Sequence, residues 1–263
     1  MTDKQNMAAV IIPARLGSTR FPNKPLAKIL GVPMIELIYQ HASGSHLASA
    51  VAVATCDPEI MALIQERGGK AIMTSDAHTR ATDRTAEALL ILEESEGVSF
   101  EIVVMLQGDE PTVSPAQIDS VIEALMSDKS IDVVNLWGPM ASVEELLDSN
   151  CIKVVADLNN DALYFSRNPI PHGADFSDPS VGKQVCAIGF RRDYLLRYLA
   201  LAPTSLEILE SVDMNRILQH GDKVKLVKTD SATQPVDEPH DIPRVEEILN
   251  GEKWHAKIVW GEE

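Results

Sequence analysis

The chain has 263 residues, 45% of them apolar, enough for one large domain or a domain with an insertion. It carries 39 Asp and Glu against 23 Lys and Arg, a formal net charge of −16, which argues against nucleic-acid or anionic-membrane partners but leaves room for a small anionic ligand in a local cationic pocket. The three cysteines, Cys56, Cys151 and Cys186, are far apart and form no C-x-x-C, so they predict buried free thiols rather than a zinc site or a disulfide frame.

In chain order, Ala8 to Ala14 reads as a buried strand, a short Val- and Ile-rich run ended by a polar loop. A helix follows at Met34 to Ser43 and a strand at Val51 to Ala54. Pro58 suits the first turn of a helix running to Arg67, with Asp57 as its N-cap. Further strands are predicted at Lys70 to Met73, Glu101 to Leu106 and Asp132 to Leu136, with helices at Asp83 to Glu94 and Gln117 to Met126. This alternation predicts a mostly parallel α/β sheet with helices on both faces. The second half is less regular. Ile152 to Ala156 and Ala162 to Phe165 read as strands joined by the Leu158-Asn159-Asn160-Asp161 turn, and a polar loop spans Gly173 to Gly182. Val185 to Arg191 reads as a strand, Asp193 to Leu201 and Leu206 to His220 as helices, Val224 to Lys228 as a strand and Asp241 to Leu249 as a helix. Neither a signal peptide nor a membrane span is expected, so the predicted location is the cytoplasm.

Ligands of open parallel sheets bind beyond the carboxyl ends of the strands. Two features fall there. The loop after the first strand gathers Arg15, Arg20 and Lys24 with Gly17 and two prolines and no acid, a fit for a triphosphate or, equally, cations paired with surface acids. It is neither a P-loop nor G-x-G-x-x-G. Asp109 in Gln107-Gly108-Asp109 ends a central strand, which suits either a hard cation needing oxygen ligands or a turn.

"IIPARLGSTRFPNKPL" and "GVPMIELIY", then "MTSDAHTRATDRTAEA", "LQGDEP", "ALYFSRNPIP", "PTSLEILE" and "VDEPHDIPRVEEIL", closely resemble, in order, the motifs of the 3-deoxy-manno-octulosonate (Kdo) cytidylyltransferases. The resemblance covers nearly the whole chain. It implies a Rossmann-like nucleotidyltransferase fold as one domain over 1–263, with 150–200 as a less regular sugar-binding and dimerisation insertion. It implies CTP and a sugar acid as substrates, Mg²⁺ as cofactor, a homodimer, and a supply of CMP-Kdo for lipopolysaccharide. In such enzymes the acceptor's anomeric hydroxyl attacks the α-phosphate of CTP and pyrophosphate leaves.

Carried over by motif position, Ala14, Arg15, Ser18, Arg20 and Lys24 fall on the nucleotide, with Thr19 between them, as do His78, Thr82, Arg84 and Gln107, and Asp83 lies in the same segment. Asp109 and Asp237 match the two metal-binding aspartates. Arg15, Lys24, Asp109 and Asp237 are the expected catalytic set. Arg167 and Glu207 match acceptor-site residues. Departures cluster on the acceptor side. Arg80-Ala81 stands where the family has Ser-Gly, Gln184 where it has His, Ile188 where it has Tyr and Met214 where it has Gln, while Asn23 replaces a loop Gly. Arg80, Gln184 and Met214 are thus candidate acceptor contacts, and the departures predict an altered acceptor, such as an amino- or deoxy-modified 2-keto-3-deoxy acid. Arg80 is a candidate to meet an added negative charge. Two alternatives stay open: a nucleotidyltransferase with a different acidic or phosphorylated acceptor, and a non-catalytic nucleotide-binding homologue.

Overall fold

The computed structural model describes residues 7–17, 20–231 and 233–255. Among the described residues, six β-strands and four helices make up the first half: β1 (Ala8–Ala14), a small hairpin of β2 (Lys28–Ile29) and β3 (Val32–Pro33), α1 (Met34–Ser43), β4 (Ala48–Thr55), α2 (Pro58–Glu66), β5 (Ala71–Met73), α3 (Ala81–Glu96), and after β6 (Ile102–Leu106) the helix α4 (Pro115–Ser127). Then come β7 (Val133–Pro139), α5 (Val143–Leu147), β8 (Lys153–Ala156), β9 (Ala162–Ser166), β10 (Gly182–Arg191), α6 (Arg192–Tyr198), α7 (Ser205–Glu210), α8 (Met214–Gln219), β11 (Lys225–Lys228) and α9 (Ile242–Gly251).

The main sheet runs in the order β11-β7-β10-β6-β1-β4-β5, with β8 paired to β10 and β9 to β8. The parts on either side of β10 are parallel, while β10 runs antiparallel to β6, β7 and β8. Strand period decides the two cores. Val10 and Ile12 of β1 face a cluster with α1, α4 and α9, whereas Ala9 and Ile11 face one with α3, α6 and α8. All seven β1 residues are buried, as expected for a central parallel strand covered on both faces.

The predicted elements recur with small shifts at their ends, and three differences matter. First, the single helix predicted over Leu206 to His220 is two. Ser211 closes α7 in the left-handed region at φ 53°, and Asp213 starts α8 with its carboxylate turned to α3, where the Thr82 hydroxyl donates to it at 2.8 Å. Second, Asp57 stands before α2, but its side chain does not cap that helix. It accepts the Leu16 amide at 2.7 Å instead and so pins the loop after β1. Third, the stretch 150–200 is not wholly an insertion. The β8–β9 hairpin and the loop to Val181 stand off the main order, but β10 passes through the middle of the sheet.

Candidate active site

Because β1 and β6 are parallel neighbours, both end at the same edge of the sheet. Gly108, just past β6, donates its amide to the Pro13 carbonyl at 3.3 Å, and a Cβ there would lie 2.8 Å from that oxygen. Only glycine lets the two strand ends approach this closely. Asp109 follows, and its carbonyl accepts the Val236 amide at 2.9 Å, which brings Asp237 alongside. The Asp237 and Glu238 amides both donate to Asp241 Oδ2 at 2.8 Å, fixing that second segment.

Lys24 closes the arrangement from the loop after β1. Asn23 adopts φ 56°, a left-handed geometry that asparagine tolerates better than most residues, which accounts for Asn in place of the family's Gly. The turn it starts puts Lys24 Nζ 2.8 Å from Asp109 Oδ2 and 2.8 Å from the Val236 carbonyl. Arg20 Nη2 donates to Asp237 Oδ1 at 2.8 Å, and Arg20 also meets Asn150. Burial and then the Asp109 charge hold the Asp237 carboxyl above the usual carboxylate range, although Lys24 and Arg20 act the other way. Glu110, next along, is buried. Burial and Asp109 push its carboxyl up to about 7, while its Oε1 accepts the Cys186 amide of β10 at 3.0 Å.

Two cavities open on this edge. The smaller, of about 350 Å³, is lined by Ala14, Arg15, Lys24, His78 and Arg84, with Gly17 and Gly108 on its backbone wall. The larger, of about 530 Å³, is lined by Arg167, Lys183, Gln184, Cys186, Ile188, Met214 and Asp237, among others. They share a wall of Arg20, Thr79, Arg80, Ala81, Gln107 and Asp109. Of the residues carried over to the nucleotide, Ala14, Arg15, Arg20, Lys24, His78, Arg84 and Gln107 line the smaller cavity, and of those carried over to the acceptor Arg80, Arg167, Gln184 and Met214 line the larger one.

Several expected residues are partly or wholly engaged within the protein. Ser18 and Thr19 lie outside the described residues. His78 Nε2 meets the Glu87 carboxylate across the turn before α3, and Arg84, 3% exposed, bonds Thr74 Oγ1. Thr82 lines neither cavity, since its hydroxyl is on Asp213. Glu207 lines neither. It is 1% exposed, gripped by Arg216 at 2.7 and 2.5 Å, and caps α7 through the Thr204 amide. Arg167 reaches the larger cavity while donating to the carbonyls of Glu210 and Ser149 at 2.5 and 2.7 Å. Gln184 donates to Asn135 at 2.6 Å, and Met214 forms part of the apolar floor with Ile188. Sequence reasoning missed Glu110, Lys183 and Asp213. Glu110 stands inside the quoted "LQGDEP", and its position beside Asp109 was the one available signal. Burial pushes the Cys151 thiol up to about 12 and the Cys186 thiol well above its usual range, so both stay protonated. Among the described residues no helix is long and apolar enough to cross a membrane.

A family model described as "Cytidylyltransferase" matches residues 9–226. The chain is 39% identical over 251 residues to a 3-deoxy-manno-octulosonate cytidylyltransferase of Geobacter metallireducens, spanning 91% of this chain and 96% of that protein. It belongs to the 3-deoxy-manno-octulosonate cytidylyltransferase family. The enzyme of that name from Syntrophus aciditrophicus is 40% identical over 242 residues, 92% of this chain and 96% of that one. A solved CMP:2-keto-3-deoxy-manno-octonic acid synthetase, complexed with CTP, superposes with a TM-score of 0.83 at 34% identity, covering 94% of this chain and 99% of that chain. A 4-diphosphocytidyl-2C-methyl-D-erythritol synthase from Anaerococcus prevotii, at TM-score 0.62 and 17% identity, covers 93% of this chain and 96% of that one and shares the fold.

Proposed function

We propose that this family member transfers CMP from CTP to the anomeric hydroxyl of a Kdo-type 2-keto-3-deoxy sugar acid, releasing pyrophosphate. The observation that carries this reading is the shared wall. The cavity on the cationic loop and the cavity toward β8–β10 and α8 meet along the wall that includes Asp109, where a nucleotide in one and an acceptor in the other would touch. CTP would lie against Arg15, Lys24 and Arg84 with its base and ribose near Ala14 and Gln107. The acceptor would fill the larger cavity.

The residues fit Mg²⁺. Asp109 and Asp237 are two crowded carboxylates, each with one oxygen on a cation and one left over, and a hard divalent ion accepts such oxygens and keeps its remaining waters. When bound, Mg²⁺ would neutralise phosphate charge. The chain's own part is to hold two anions together. Lys24 and Arg20 attach the loop to both acids, Lys24 and Arg15 offset triphosphate charge, and Gln107 and Thr79 border the point of contact. Positioning and electrostatics then supply most of the acceleration, with no covalent enzyme intermediate.

Leu158 and Leu163 of the β8–β9 hairpin and Ile208 and Leu209 of α7 are large apolar side chains left exposed. This apolar surface supports a homodimer, and sedimentation would measure it. The reading places the protein in the cytoplasm, where CTP is available. Pyrophosphate release with each of the four nucleoside triphosphates, Mg²⁺ and a panel of ulosonic acids tests the function. CTP and a Kdo-type acid should give turnover that EDTA abolishes. Turnover with a sugar phosphate instead would favour the other nucleotidyltransferases.

A further inference from the structure

In a 2-keto sugar acid the attacking hydroxyl and the carboxylate hang on the same carbon. Wherever the hydroxyl meets the α-phosphate, the carboxylate is two bonds from it. That meeting point is the wall common to both cavities, and only two of its residues are cations, Arg20 and Arg80. Arg20 is committed to Asp237 and Asn150 beside the two aspartates. Arg80 is placed differently. It stands at the N-cap position of the 16-residue α3, where the helix's positive end adds to its own charge. Its Nη1 lies 3.1 Å from Asp213 Oδ1 and 3.4 Å from Ser211 Oγ.

Glu207 lies 3.7 Å from Arg80 Nη2, but its charge is already matched by the bidentate Arg216. Among the described residues Asp213 is thus the one carboxylate left to pair with Arg80. A guanidinium has five N–H donors, and most of these are left for a ligand. The side chain is 27% exposed, enough to face the cavity while its orientation is held from behind. The larger cavity's other cations serve less well. Arg167 donates to the carbonyls of Glu210 and Ser149, and Lys183, 3% exposed, is on Glu145 and the Thr233 carbonyl. Arg244 is exposed and lines only the larger cavity.

We infer that Arg80 receives the acceptor's own carboxylate through its guanidinium fork, and is the residue by which this chain selects acidic over neutral acceptors. The inference rests on the cytidylyl-transfer reading above. Planar guanidinium matches a carboxylate with two parallel hydrogen bonds, which a serine at this position could not supply. Asp213 and Ser211 are then positioning residues. The helix break between α7 and α8 exists to present them, which gives the left-handed Ser211 a purpose.

The test compares Kdo with its C1 carboxamide as acceptors, using wild type, Arg80→Gln and Arg80→Lys, with pyrophosphate release as the assay and CTP affinity measured separately by calorimetry with Mg²⁺. Wild type should prefer the acid in kcat/KM by about tenfold to a hundredfold, the range of a charge-assisted pair. Arg80→Gln should raise the KM for Kdo by a similar factor, bring the acid-to-amide ratio to within about threefold of unity, and leave CTP affinity unchanged. Arg80→Lys, which keeps the charge and the packing stem, should keep part of the preference. A purely structural Arg80 would lower turnover of both acceptors alike, and an unaltered acid-to-amide ratio in Arg80→Gln overturns the inference. If wild type turns over no sugar acid with CTP, the functional reading itself fails, which is a separate result.

Discussion

His41 of α1 is buried at 1% exposure. Its Nδ1–H donates to the Pro111 carbonyl at 3.0 Å, two residues past Asp109. A carbonyl only accepts, so Nδ1 carries the proton, and Nε2 must accept from His255 Nδ1–H at 2.9 Å. Trp254 packs edge-on against the same ring at 4.7 Å. The Trp254–His255 segment is thereby braced to the Asp109 segment through a neutral imidazole. Burial, and then the neighbouring His255, lower the His41 pKa from 6.5 to about 3. The unfolded state therefore binds more protons between these values, and stability falls as pH drops from about 6.5 toward 3, with no loss above 6.5. At pH 5 the loss is about 2 kcal/mol, since each unit of the gap still traversed costs about 1.4 kcal/mol. His41→Gln retains a donor for Pro111 and an acceptor for His255 but cannot titrate. Urea unfolding at pH 7.5 and pH 5 should show wild type losing about 2 kcal/mol more than His41→Gln over that interval, a difference of roughly 4–8 °C in Tm for a chain of this size. Parallel losses in the two proteins would refute the assignment of a neutral, buried His41.

Gly108→Ala should lower kcat/KM by about tenfold or more and destabilise by about 1–3 kcal/mol, because the added methyl meets the Pro13 carbonyl at 2.8 Å and must displace Asp109; steady-state assay and urea unfolding read both. Lys24→Met should reduce kcat/KM for CTP by about a hundredfold, since it removes a cation shared by Asp109 and the triphosphate; a change confined to the acceptor KM would move Lys24 out of the nucleotide site. Arg216→Met should cost about 3–5 kcal/mol by stranding the buried Glu207 carboxylate, whereas the pair Glu207→Gln with Arg216→Met should recover most of it. If Arg216→Met instead left stability intact and raised only the acceptor KM, Glu207 would be the acceptor contact that the motif implies.

The strands around the site were legible because period and burial agree. "AAVIIPA" and "IVVML" are short apolar runs that can only be central strands, and their parallel order puts the cationic loop and Asp109 on one edge. Motif position singles out both aspartates, Lys24 and Arg20, and the structure sets Lys24 on Asp109 and Arg20 on Asp237. What was not legible depends on partners distant in sequence. No local signal in Ser211-Val212-Asp213 marks a helix break; Asp213 is drawn away by Thr82 and Arg80, more than 120 residues earlier. Asp57 carries a good cap residue's chemistry but serves Leu16, 41 positions away. Gly182 extends β10 beyond its apolar run because only glycine passes the Trp137 ring. Glu110 reads as an ordinary acid and Glu207, by motif, as an acceptor contact, since burial is a property of the folded chain.

The central claim is that the wall shared by the two cavities joins CTP to a sugar acid. Phosphorus NMR of the protein with CTP, Mg²⁺ and Kdo tests it most directly. The account predicts one new phosphodiester resonance from a CMP-linked sugar, growing in equal amount with pyrophosphate, and neither signal in Asp237→Asn that still binds CTP. A nucleoside diphosphate product, or undiminished product formation by Asp237→Asn, would contradict it.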